Sequence, residues 1–297
     1  MSPLSDRHHE VPRWLLEHFT AGHRGRLWVG FKKDRRVQLI STRNAFVRRG
    51  ANSRVDYVPQ SDGSTTRVKS DAAEMILAEF DRSASVAARE LIEIARRWRE
   101  TGPIPAQLPP RLIAICKRLL LVQARRTREA QDRIGIGNHD PLLIADLLYA
   151  RADELRVTLP CREELIADEA ILRVFDDIAQ NNRATFAGGQ HPLDLHQDVR
   201  LLAQRGLRIA VLAPSIGDFV IGSHGITTGR TINGWDSWLP LAPDVAISHS
   251  DSPGDVRIAL APPRFLEWHN RTALRSSERV GGSCARTIRE LLATAGD

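Results

Sequence analysis

The sequence predicts an α+β fold, a central helical bundle packed against a small, mostly antiparallel sheet formed by an N-terminal hairpin and C-terminal strands. Three observations carry this. Polar and apolar residues alternate near both ends of the chain, apolar spacing turns helical between about residues 70 and 206, and Gly, Pro, Asp and Ser mark the boundaries. Strands at both ends can share one sheet laid on the bundle. Residues 1–69, 70–206 and 207–297 are therefore expected as a helix with a basic β-hairpin and loop, a bundle, and a β-meander with a last helix. Together they are expected to make one composite domain.

The elements follow in order. Residues 11–21 place Trp14, Leu15 and Phe19 on one helical face, with Pro12 suited to a first turn. Residues 26–31 and 36–41 alternate as strands, and Lys32-Lys33-Asp34-Arg35-Arg36 joins them as a hairpin turn. Residues 50–69, rich in Gly, Ser, Asn, Asp and Thr, are expected as an exposed loop. Bundle helices are expected over 71–100, from Pro109-Pro110 to about Asp132, from Asp140-Pro141, over about 162–180, and from His191-Pro192 to about Arg205. Strands follow at 207–213, 218–222, 244–248 and 256–260, then a helix over about 281–294.

The composition is that of a folded globular chain, with 42% hydrophobic and 26% charged residues. No apolar run approaches the roughly 18 residues of a membrane span. The first residues lack a basic-then-apolar signal pattern, so a cytoplasmic location with no membrane partner is expected. Cys116, Cys161 and Cys284 are odd in number and far apart, and each is expected as a small buried hydrophobe. The net charge of +6 is uneven: residues 1–54 hold twelve basic and four acidic residues, a balance of +8. The other 243 residues balance at −2. A basic segment on a near-neutral body is the footprint expected for a polyanion such as nucleic acid. The run Lys32-Lys33-Asp34-Arg35-Arg36 taken alone is more simply the composition of a solvated hairpin turn.

Several motifs stand in order along the chain. They are His9-Glu10-Val11-Pro12 with Leu16 and Phe19, Gln123-Ala124-Arg125-Arg126-Thr127, and Phe219 to Ile226. Pro240-Leu241-Ala242-Pro243 and Asn270 with Ala273 follow. In this order the chain resembles the bacterial domain of unknown function 4238 family, whose members open with H-x-V-P-x-x-x-L-x-x-F and carry Q-x-x-R-T on a helix. Where the family shows Asp-Asn-Pro after Ser, this chain has His224-Gly225-Ile226 after Ser223. The resemblance implies an organisation rather than a reaction.

Other constellations are weaker. His8 and His9, with His18 and His23 nearby, lack the second histidine of H-E-x-x-H, and Pro12 interrupts the helix that would present it. An ordered helix entry is expected there, with no metal, and the sequence assigns no cofactor. Arg111, Arg118 and Arg125 recur at seven-residue steps on one stripe. Such a stripe can cradle phosphates, but arginines toward a helix C-terminus also complement its macrodipole with no partner, and that is expected for Arg111 and Arg118. No P-loop or G-x-S-x-G elbow occurs.

Three functions remain open. The first is nucleic-acid binding by Lys32, Lys33, Arg35, Arg36, Arg43, Arg48 and Arg49, with Trp14, Trp28 and Phe31 interleaved, in a nuclease or toxin-like defence factor. The second is a small-molecule enzyme with His9, Gln123, Arg126, Ser223 and His224 between bundle and sheet. The third is a non-catalytic oligomeric interaction module presenting Trp98, Trp235, Trp238 and Trp268.

Overall fold

The structure, a computed structural model, describes residues 7–20, 22, 24–49, 53–70, 72–102, 108–126, 149, 169–187, 203–231 and 234–294. Its N-terminal third contains β1 (Arg7–His9), α1 (Arg13–Glu17), β2 (Arg26–Phe31), β3 (Arg36–Ser41), β4 (Val47–Arg49), β5 (Arg54–Pro59) and β6 (Thr65–Ser70). The described helices that follow are α2 (Ala72–Thr101), α3 (Pro110–Arg126) and α4 (Glu169–Ala187). The C-terminal part comprises β7 (Gly206–Val211), β8 (Ile221–Gly222), β9 (Thr227–Thr231), β10 (Gly234–Ala242), β11 (Val245–Ser250) and β12 (Val256–Leu260). It ends with α5 (Pro263–Ser276), β13 (Arg279–Gly282) and α6 (Ala285–Ala293). The fold is α+β. The helices expected from Asp140 and from His191 lie almost wholly outside the described residues.

Two principal sheets form. One runs β3-β2-β13-β8 and is antiparallel throughout, so the N-terminal hairpin does share a sheet with C-terminal strands. The other runs β12-β7-β11-β10-β9 and contains one parallel pair, β12 with β7. Period-2 alternation explains how the second sheet sits between layers. Leu207, Ile209 and Val211 of β7 join the main core with Leu91 and Ile92 of α2 and Leu112, Leu119 and Leu120 of α3. Ala210, Ala246 and Trp238 face the other way, toward Leu266 and Phe265 of α5. Each large apolar side chain buried in these layers is worth about 1.5–3 kcal/mol.

The hairpin sheet is also covered on both faces. Leu27 and Val29 enter the main core, while Trp28 and Val37 pack with Val280, Ile288 and Leu292. Gly30 sets the distance to α6: a Cβ there would lie 2.6 Å from Ile288 Cγ2 and 2.9 Å from Leu292 Cδ1.

Several expectations are corrected. Residues 54–70 form the β5–β6 hairpin rather than a loop, and α4 holds it by side-chain hydrogen bonds. Residues 279–282 are a strand before the last helix, because Gly281 and Gly282 pair with Val29 and Trp28. Helix α5 and strands β9 and β10 occupy a region in which only the strands at 244–248 and 256–260 were expected. Cys284 is only half-buried, whereas Cys116 is buried.

Candidate functional site

The basic turn is exposed and rigidly based. Strands β2 and β3 pair from Arg26 with Ser41 to Phe31 with Arg36, so Lys32, Lys33, Asp34 and Arg35 form the turn, and all four are exposed. Arg35 takes a left-handed backbone, φ 51°. The Arg36 guanidinium sits 4.7 Å from the Phe31 ring centroid, and its Nε lies 3.5 Å from Asp34 Oδ2. Lys32 is tied to the C-terminal part of the chain. Its backbone N–H donates to Glu278 O at 3.0 Å, and its Nζ donates to Arg275 O at 2.9 Å. Lys33 and Arg35 make no ion pair among the described residues.

The other basic residues do not extend this turn. Arg43 is exposed, but it follows Ser41 at the opposite end of the hairpin. At roughly 3.4 Å per residue, that end lies about 17 Å away. Arg48 is turned inward, its Nε 3.3 Å from Glu10 Oε1. Arg49 pairs along the backbone with Arg7 in the small β1–β4 ribbon. The aromatic residues are likewise engaged. Trp14 is half-buried against the core and packs edge-on to His18, and Trp28 packs beneath α6. Neither is presented for base stacking.

A second cluster joins the motifs that are distant in sequence. Gln123, fully buried on α3, donates from Nε2 to Glu10 O at 2.9 Å and to His224 O at 3.2 Å. Its Oε1 is buried and accepts no hydrogen bond among the described residues. Gly225 makes the approach possible: φ is 72°, and a Cβ would stand 2.5 Å from Gln123 Nε2. Segments 9–10 and 223–225 therefore meet at Gln123, through backbone carbonyls rather than through the side chains of His9 and Ser223. His9 pairs with Val47 in β1–β4 and is half-buried, and Ser223 is buried with its N–H donating to Arg279 O at 2.8 Å. Arg126 engages α2 instead, donating to Asp81 Oδ1 at 2.8 Å and to Leu77 O at 3.4 Å.

Sequence reasoning missed the charge centre of this cluster. The Glu10 carboxylate is 6% exposed and lies between Arg48 and Arg279, whose Nη2 is 3.4 Å from Oε2. The position of Glu10 inside the first motif was a signal; the arrival of Arg279 from 269 residues away was not. The tryptophan surface is also corrected: Trp238 is buried, and Trp98 and Trp268 are half-buried against the core clusters. The side chain of Trp235 lies outside the described ones.

Neither a protein-family model, nor a curated protein, nor a solved structure matches the chain.

Proposed function

We propose that the chain binds nucleic acid through the basic turn of the β2–β3 hairpin. One observation carries the reading: Lys33 and Arg35 are exposed and without ion pairs among the described residues, at the tip of a hairpin fixed by its strand pairing. Cations held in this way neutralise phosphates and release counterions, which makes binding strongly salt-dependent. Nuclease or toxin-like action would follow the binding step and appears in the same assay as loss of the full-length strand. The resemblance to the domain of unknown function 4238 family adds no reaction to this reading. Labelled RNA and DNA are titrated at two salt concentrations with the wild type and with a variant reversing charge at Lys33 and Arg35, the two turn cations without internal partners among the described residues. The wild type should bind and weaken steeply with salt, and the variant should lose binding while melting at the wild-type temperature. Absent or salt-insensitive wild-type binding sinks the reading.

A small-molecule site at the Gln123 junction is the second reading, supported by the buried Gln123 Oε1 with no donor opposite it among the described residues. A thermal-shift screen of hydroxylated and amine-bearing metabolites tests it. A compound that stabilises the wild type but not His224→Ala supports the site, and a screen without such a compound counts against it.

A further inference from the structure

We infer that the phosphate-binding surface is composite: Arg275, at the end of α5, belongs to it, and Lys32 clamps the two parts together rather than serving as a phosphate ligand. The inference rests on the nucleic-acid reading and deepens it.

Lys32 and Arg275 are 243 residues apart, yet the Lys32 ammonium donates to the Arg275 carbonyl at 2.9 Å. That carbonyl belongs to the last turn of α5, where the helix presents its negative pole. One of the three ammonium donors is thus committed to a contact within the protein, and the side chain is held toward α5. The next residues along the chain reinforce the junction. Lys32 N–H donates to Glu278 O, and Phe31 stands opposite Arg279 in the β2–β13 ladder. The Arg275 side chain is exposed and makes no ion pair among the described residues. Its neighbours differ: Arg271 pairs with Glu267 at 3.0 Å, and Arg279 pairs with Glu10 at 3.4 Å. Arg36 is partly offset by Asp34. The uncommitted cations around this junction are therefore Lys33 and Arg35 from the turn and Arg275 from the helix.

The ligand chemistry that suits them is the phosphodiester backbone. Two guanidinium forks and an ammonium, divided between the turn and the helix, can each engage a phosphate oxygen, with charge rather than base identity as the recognised feature. The predicted surface is indifferent to base sequence.

The test measures binding of one labelled DNA duplex from 50 to 200 mM salt by the wild type, Arg275→Gln, Lys33→Gln and Lys32→Gln. Loss of one phosphate contact lowers the slope of log affinity against log salt by about 0.9, so the wild-type advantage over Arg275→Gln or Lys33→Gln should shrink about 3-fold across that range. Lys32→Gln should weaken binding by a similar factor at every salt concentration, leaving the slope near the wild-type value. A wild-type slope and affinity in Arg275→Gln, with a reduced slope in Lys33→Gln, overturns the composite surface while the nucleic-acid reading stands. A slope reduced as much in Lys32→Gln as in Arg275→Gln overturns the clamp. Absence of salt-dependent binding by the wild type removes the reading itself.

Discussion

Arg35 is held at φ 51°, a backbone conformation that costs a residue with a side chain roughly 1–2 kcal/mol relative to its preferred region. Arg35→Gly relieves that cost, at the expense of a looser unfolded chain. We expect urea denaturation to show stability unchanged or raised by up to about 1 kcal/mol, while the salt slope of nucleic-acid binding falls by about 0.9. A variant that loses stability without losing slope contradicts the role assigned to Arg35. Gln123 makes the opposite case, a buried side chain whose contribution is to hold segments together. Gln123→Leu strips the Glu10 and His224 carbonyls of this donor, and we expect a loss of about 2 kcal/mol in urea unfolding. The thiols should also separate by site. Hydrogen bonds from Thr287 hold the half-buried Cys284 below the usual thiol range, whereas burial pushes Cys116 up to about 12. Peptide mapping after brief iodoacetamide treatment should find Cys284 alkylated well before Cys116, and equal rates would contradict the assignment.

At the scale of elements, the β5–β6 hairpin shows why part of the fold was hidden. Along β5 the alternation Arg54-Val55-Asp56-Tyr57 is short, runs into Val58-Pro59 and buries only Val55, so little marks the strand apart from the surrounding polar residues. Its order comes from α4. Asn181 accepts from Val55 N–H and donates to Val55 O, both at 2.5 Å, taking the place of a neighbouring strand. Asp177 accepts a forked pair of hydrogen bonds from Arg67, at 2.7 and 2.6 Å, and one from Tyr57 at 2.6 Å. Asn181→Ala should therefore accelerate amide hydrogen exchange across β5 and β6 while leaving β2 protected. Uniform acceleration over the molecule would show that Asn181 supports the global fold instead. Helix α5 carries a legible signal in the sequence. Pro262-Pro263 is a helix start, and Leu266, Asn270, Ala273 and Leu274 keep helical spacing on its buried face. Strands β2, β3 and β7 were readable because alternation or a short apolar run matches burial in them, whereas β12 was readable from alternation although its Leu260 is exposed.

For the whole molecule, the α+β class and the pairing of N-terminal with C-terminal strands were legible, but the division into two principal sheets and two small ribbons was not. Insertion of β13 between β2 and β8, and the parallel pairing of β12 with β7, depend on contacts distant in sequence. The same limit applied to the site. The cluster of basic residues was visible, while Arg48 turning to Glu10 and Lys32 to Arg275 needed the fold. Buried histidines make stability depend on pH. His269 is fully buried between Phe219 and Phe265, and burial lowers its pKa to about 4. His18 and His249 are lowered in the same direction, also mainly by burial. The unfolded chain takes up these protons below about pH 6.5 and the folded chain does not, so stability is complete above that pH and falls as pH drops toward 4. His269 alone should account for about 3 kcal/mol between pH 7 and pH 4. Urea midpoints should be flat above pH 7.5 and decline below 6.5, and His269→Phe should flatten the decline. An unchanged decline would contradict the burial of a neutral imidazole at this position.

We propose that a folded basic surface at the β2–β3 turn and the end of α5 binds nucleic-acid phosphates. The most direct measurement is the affinity of the wild-type chain for a DNA duplex from 50 to 200 mM salt. Three phosphate contacts predict a slope of about −2.7 in log affinity against log salt, roughly a 40-fold weakening over that range. A slope near zero, or no binding at 50 mM, would rule out a phosphate-binding surface there.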